Sequence, residues 1–222
     1  MQKFKLSLAA AALITALPLL QACVPIVIAG GAAAGVMSAY DRRSTGVQTD
    51  DETTEWKAAQ RVPEKYKAPS HLNFTAYNRR LLITGETPNE EAKSIIGEQA
   101  SKVEGVREVI NELTISGTTS SLGNRSNDSY ITSKLKARLV DSNQLSANHI
   151  KVVTENSIAY LMGIVTDREA KIAVEIARRT DGVRKVVNVM EVMPDAEIRR
   201  IDTSVPGGNR TPPPPVAPVE NR

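Results

Sequence analysis

The chain has 222 residues, 28 Lys+Arg against 25 Asp+Glu, and one cysteine. A single thiol excludes a disulfide-stapled fold, and a net charge of only +3 gives no case for a nucleic-acid partner.

The N-terminus, MQKFKLSLAAAALITALPLLQAC, places Lys3 and Lys5 before an apolar run from Leu6 to Leu20. A positive start, a short apolar core and small residues at its end describe a secretory signal over residues 1–22. Leu20-Gln21-Ala22-Cys23 resembles a bacterial lipobox, which implies that Cys23 is acylated and begins the mature protein. Acylation also explains why an exported chain carries a thiol with no partner. Val24 stands where an aspartate would imply inner-membrane retention, so the resemblance implies the outer membrane. Loss of residues 1–22 removes two lysines and no acids, leaving 26 − 25 = +1.

Residues 23–49 run from Cys23 into VPIVIAGGAAAGVMSAY, closed by Asp41-Arg42-Arg43. This stretch is short, weakly hydrophobic and interrupted by Pro25, so it suits a small-residue tether at the bilayer surface better than a span. Gly31 and Gly35 are spaced for self-packing.

A repeat follows. EGVREVIN at 104–111 returns as DGVRKVVN at 181–188. Further back, at a shift of 78, LLITGETPNEEAK lies on AYLMGIVTDREAK, with Gly85 on Gly163 and Ala92-Lys93 on Ala170-Lys171. Such self-similarity marks a duplicated structural unit. The modules are 50–117 and 128–193, joined by a Ser/Gly/Asn-rich linker at 118–127.

In the second copy Ile150, Val152 and Thr154 alternate with polar residues, and a β-prone run spans Ile158 to Val165. That is a hairpin turning at Glu155-Asn156. Thr166 or Asp167 then caps a helix carrying Ile172, Val174, Ile176 and Ala177, and Gly182 stops it as a C′ residue. VRKVVNVMEV reads as the last strand, and an amphipathic helix at 129–140 precedes the hairpin. The fold class is α+β, two tandem αββαβ modules, each a small mixed three-stranded sheet with helices on one face. Residues 194–222, Pro-rich and nearly free of large apolar side chains, should be disordered. The repeated phrase is a helix stop and a strand start.

A strand ending in Gly-x-Val, a helix rich in Glu, Ala and Lys, and then GV-x-x-V-x-N resemble the BON domain family. Gly163-Ile164-Val165 keeps the strand ending, whereas Gly85-Glu86-Thr87 departs from it. Two such modules behind a lipobox imply a non-enzymatic, periplasm-facing outer-membrane lipoprotein. It would support envelope integrity, at the division site among other places, and its second module would bind anionic phospholipid. An adaptor for outer-membrane assembly or cell-wall remodelling machinery is the alternative.

Catalytic and metal chemistry find little support. His71 and His149 occupy equivalent places in the two copies and read as one inherited module position. With no further histidine, and the one cysteine in the lipobox, no zinc set is expected, and no cofactor. No nucleophile elbow surrounds any serine, and GGAAAG lacks the ending of a phosphate loop. Glu90-Glu91 and Asp50-Asp51 read as acids at helix starts.

Charge separates the copies. Residues 50–117 carry nine basic and twelve acidic side chains (9 − 12 = −3), and residues 128–201 carry twelve and ten (12 − 10 = +2). In the helix at 129–140, Ile131, Leu135 and Leu139 make an apolar stripe, flanked at the same spacing by Tyr130, Lys134 and Arg138. An aromatic, an apolar stripe and a basic row suit a headgroup interface, so Tyr130, Ile131, Lys134 and Arg138 are the candidate phospholipid contacts. The competing expectation is that the stripe packs on the sheet.

Overall fold

A computed structural model describes residues 41–204, all within one compact unit, Ala39–Arg222. The lipobox, Cys23, the tract at 24–40 and the Pro-rich stretch from 205 onward lie outside the described residues.

Module 1 comprises α1 (Thr45–Arg61), α2 (Glu64–Lys67), β1 (His71–Tyr77), β2 (Arg80–Thr87), α3 (Glu90–Ser101), β3 (Glu108–Asn111) and β4 (Thr114–Ile115). Module 2 repeats the order with α4 (Leu122–Asp141), β5 (Ile150–Glu155), β6 (Ile158–Val165), α5 (Asp167–Arg178), β7 (Lys185–Asn188) and β8 (Glu191–Val192). A final helix, α6 (Asp195–Ser204), closes the described chain.

In each sheet a central strand, β2 or β6, pairs antiparallel with the preceding strand and parallel with the following one. β4 and β8 resume that parallel pairing two residues after β3 and β7 end, so each expected three-stranded sheet carries a short fourth strand. The hairpins turn at Asn78-Arg79 and Asn156-Ser157, all four at positive φ, as two-residue primed turns require. A buried aspartate fixes each turn. Asp51 accepts from the N–H groups of Asn78 and Arg79, and Asp128 accepts from those of Asn156 and Ser157. Asp51 therefore sits inside α1, bound to the hairpin, rather than at a helix start. The glycines at 85 and 163 are a packing need. A Cβ would come within 2.0 Å of the His71 carbonyl oxygen at Gly85 and within 2.3 Å of that of His149 at Gly163.

Three boundaries differ from the sequence expectation. α1 starts at Thr45, capped by Ser44, inside the expected tether. α4 starts at Leu122, capped by Ser121, so residues 122–127 of the expected linker are helical despite Gly123 and two asparagines. The disorder expected from 194 is contradicted over α6, whose Ile198 and Ile201 dock into the core. α5 also ends at Arg178, with Thr166 forming a capping box with Glu169 at its start. Gly182, at φ +95°, thus serves the turn into β7 and not the C′ position.

One face of each sheet carries its module's helices. Leu81, Ile83, Ala92 and Ile96 lie at the centre of the first core, and Leu135, Leu139, Leu161 and Ala173 at that of the second. The other faces meet each other. Tyr77 and Leu82 of module 1 join Tyr160, Met162, Ile164 and Val189 of module 2 and Ile198 of α6 in a third core. The central strands are thereby buried on both sides.

Candidate functional site

The predicted lipid-contact residues divide by burial. Ile131 is 1% exposed and, with the buried Leu135 and Leu139, faces inward. Its side chain fills the space beside Gly182, where a Cβ would sit 2.9 Å from Ile131 Cγ1. Ile131 is therefore a packing residue, and the stripe obeys the rule that a helix on a sheet buries its apolar face. Tyr130, 64% exposed, projects from the opposite side of α4 with Leu122 and Val140 also exposed.

Lys134 and Arg138 tie α4 to the end of α5. Lys134 Nζ donates to Asp181 at 2.9 Å and lies 6.0 Å from the centre of the Tyr130 ring. Arg138 donates to the carbonyl of Arg179. The hydrogen bond from Lys134 holds the Asp181 carboxyl below its ordinary range. Arg178, Arg179, Arg184 and Lys185, which flank that joint in sequence, are exposed, as is Lys136 on another side of α4.

The equivalence of Asp51 and Asp128 (128 − 51 = 77) shows which of these cations are particular to module 2. Lys134 and Arg138 correspond to Lys57 and Arg61 of module 1. Tyr130, Lys136, Arg178 and Lys185 correspond to Thr53, Ala59, Ser101 and Glu108. Sequence reasoning singled out two cations that both copies share and missed Lys136, Arg178 and Lys185. The signal was present in the repeat, in Arg-Arg at 178–179 and in Lys185 against Glu108.

Two polar clusters sit where the modules meet. Arg42, which precedes α1, is buried and donates to Glu169 at 2.8 and 3.0 Å, to Asp202 at 2.8 and 3.1 Å, and to the Ile164 carbonyl at 2.8 Å. Burial alone would raise the Glu169 carboxyl. Hydrogen bonding from the side chains around it, the Thr166 N–H and the Arg42 charge instead hold it well below the usual range. The neighbouring Arg43 pairs with Asp41 and Asp51 and lies 4.0 Å from the centre of the Tyr77 ring. In the second cluster His71 Nε2 lies 3.6 Å from Glu155 Oε1, beside Glu86, which accepts from the Ser120 hydroxyl. Burial, then the charges of Glu86 and Asp128, push the Glu155 carboxyl up to about 7. Among the described residues no helix is long and apolar enough to cross a membrane.

Residues 50–117 and 127–194 each match the BON domain model. Over 176 residues the chain is 40% identical to outer membrane lipoprotein DolP of Haemophilus influenzae, covering 78% of this chain and 90% of that protein. It is 35% identical over 152 residues to the 21 kDa hemolysin of Actinobacillus pleuropneumoniae, covering 68% and 78%. Among solved structures, the C-terminal domain of CdsD, a structural protein of the type III secretion system of Chlamydia trachomatis, aligns at 15% identity. It covers 63% of this chain and 96% of that one with a TM-score of 0.27, too low to bear on the fold.

Proposed function

This chain belongs to the BON domain family, two copies in tandem, and from that premise we propose that its second module binds anionic phospholipid at the membrane surface. It is an outer-membrane BON-domain lipoprotein of the envelope, as its 40% identical relative is, and the family points to a non-enzymatic role. In the proposed arrangement acyl chains on Cys23 hold it at the outer membrane, facing the periplasm, where it supports envelope integrity, including at the division site.

The observation that carries the lipid reading is the exposed Tyr130, with the Lys134 ammonium 6.0 Å from its ring, in a module that also exposes three cations module 1 lacks: Lys136, Arg178 and Lys185. An aromatic ring with a basic rim suits a headgroup layer, and each cation near an anionic surface contributes about 1 kcal/mol. Lys134 and Arg138 spend hydrogen bonds on Asp181 and Arg179, so they serve chiefly to build the surface. Ile131 has no part in the contact.

The test is binding of the 39–222 fragment to phosphatidylglycerol vesicles. Replacing Tyr130 by Ser, Lys136 by Gln and Arg178 by Gln should weaken binding at least about 30-fold, the equivalent of two cations. Unchanged binding would place the contact elsewhere. The adaptor reading has its own support in Trp56, 65% exposed on α1, since tryptophan is enriched at protein-interaction hot spots. A specific protein crosslink at Trp56, with no vesicle binding by the fragment, would favour it.

A further inference from the structure

The seam between the modules contains a set of donors that neither the lipid reading nor the packing uses. His71 and Glu86 are direct cross-strand partners in the β1–β2 hairpin, so their side chains share one face. Glu155, at the end of β5, approaches that face from module 2. The three residues each offer one donor atom, and these atoms all lie within 4.8 Å of one another. Four-coordinate zinc, with bonds of about 2.0–2.2 Å, needs ligand atoms roughly 3.4 Å apart. The His71–Glu155 distance of 3.6 Å already nearly meets that.

A second observation points into the same space. The side chain of Glu155 is only 9% exposed, yet among the described residues its carboxylate has no hydrogen bond, only the 3.6 Å approach of His71. A carboxylate in so little exposed a side chain keeps only the solvent that the groove in front of it admits, and a cation entering there would pair with it. The groove in front of it, about 480 Å³, is lined by His71, Glu155, Asp128 and Arg125 and is open enough to admit an ion. The formal charges do not cancel. Glu86, Glu155 and Asp128 supply three negative charges, Arg125 offsets one, and Asp128 already serves the hairpin amides. Glu86 is held in place by Ser120, which donates through both its hydroxyl and its N–H, the kind of outer support that orients metal ligands. The departure of Gly85-Glu86-Thr87 from the family's strand ending places that carboxylate there. Ile164 occupies the equivalent position in module 2, which cannot build the same set.

We infer that His71, Glu86 and Glu155 form a binding site for one transition-metal dication of the zinc class, bridging the two modules. An imidazole with two carboxylates suits zinc better than calcium or magnesium, which favour all-oxygen sets. Three protein ligands also leave a coordination position for water facing the groove.

The test uses the full chain, purified in detergent and stripped with chelator, then titrated with Zn²⁺. Calorimetry should show saturable binding at one ion per chain, with a rise in melting temperature that Mg²⁺ does not reproduce. Glu155→Gln and His71→Gln should each lose more than the roughly 10–100-fold that removal of a supporting hydrogen bond typically costs. Glu155→Gln removes a little-exposed carboxylate that burial and neighbouring carboxylates disfavour, so its metal-free melting temperature should equal or exceed that of the unaltered chain, which separates lost ligation from lost folding. A variant-free readout is the ring resonances of the two histidines. Zn²⁺ should shift those of His71 and leave those of His149 in place. No saturable binding up to millimolar Zn²⁺, equal affinity in both variants, or a shift confined to His149 would each overturn the site.

Discussion

Replacing Arg42 by Ala removes five hydrogen bonds from a side chain only 5% exposed. The three acceptors do not lose equally. Asp202 is 32% exposed and can be rehydrated, whereas Glu169 is 16% exposed and keeps a buried charge. Breaking a buried pair from one side costs about 3–5 kcal/mol, most of it from the charge left behind. A chain of this size loses roughly 2–4 °C per kcal/mol, so the melting temperature should fall on the order of 10 °C. Arg42→Lys should recover little, because one ammonium cannot span two carboxylates in the forked geometry of a guanidinium. The pH dependence gives an independent check. Glu169 is depressed in the folded chain, so its stabilising contribution is complete above the usual carboxylate range. It is lost as pH falls through that range towards the folded value, because the unfolded chain then binds the proton first. The gap between Arg42→Ala and the unaltered chain should therefore be widest at neutral pH and narrow below about pH 4.5. Thermal unfolding by circular dichroism across pH measures both. A variant melting within about 2 °C of the original at pH 7, or a gap that widens in acid, would refute the strap.

Other outcomes follow from single contacts. Asp51→Ala and Asp128→Ala each strand two hairpin N–H groups, and each should cost about 3 kcal/mol by denaturant titration. Gly85→Ala forces a Cβ to 2.0 Å from a backbone oxygen at φ +115°, and should leave no cooperative unfolding transition. Ile198→Ala should cost about 2–5 kcal/mol, measured by chemical denaturation, because α6 fills the core between the modules. Equal stability in that variant would mean that α6 does not dock.

The repeat made the modules readable. Once EGVREVIN and DGVRKVVN were aligned, the hairpin, the helix after it and the parallel return strand followed from local pattern, and the sheets have that order. The tail helix was hidden by its surroundings. Asp195 to Ser204 is polar and precedes a proline-rich stretch, and only Ile198 and Ile201 have a core to enter, one built from both modules. The linker end of α4 was hidden for a similar reason. Gly123 and its asparagines have poor helix propensity, but Ser121 caps the helix, and Asp128 on it is fixed by the hairpin. The two-sided burial of β6 was written in the unbroken apolar run from Ile158 to Val165, the pattern of a strand covered on both faces. The seam was not readable from either copy alone, since Arg42 meets Glu169, and Glu155 meets His71, only when the modules come together.

That meeting brings equivalent positions of the two copies against each other. β1 and β5 pass antiparallel, so that His71 meets Glu155 at one end while Tyr77 reaches the His149 carbonyl at the other, and Lys151 reaches the Ala76 carbonyl. Tyr77 and Glu155 are equivalent positions (155 − 78 = 77), as are His71 and His149 (149 − 78 = 71), so the same pair of positions meets at both ends, once as a phenol on a backbone carbonyl and once as a carboxylate beside an imidazole. Around it module 2 supplies Ile158, Met162 and Ile164 where module 1 supplies Arg80, Thr84 and Glu86. The greasy side belongs to module 2, which would expose that surface if the modules parted, and this ties the pair together. The seam takes the face of the module 2 sheet that α4 and α5 do not cover. Module 1 can therefore pack there and still leave Tyr130 and the cations around it in solvent. The proposed lipid surface is thus available in the closed pair, and no separation of the modules is needed to expose it.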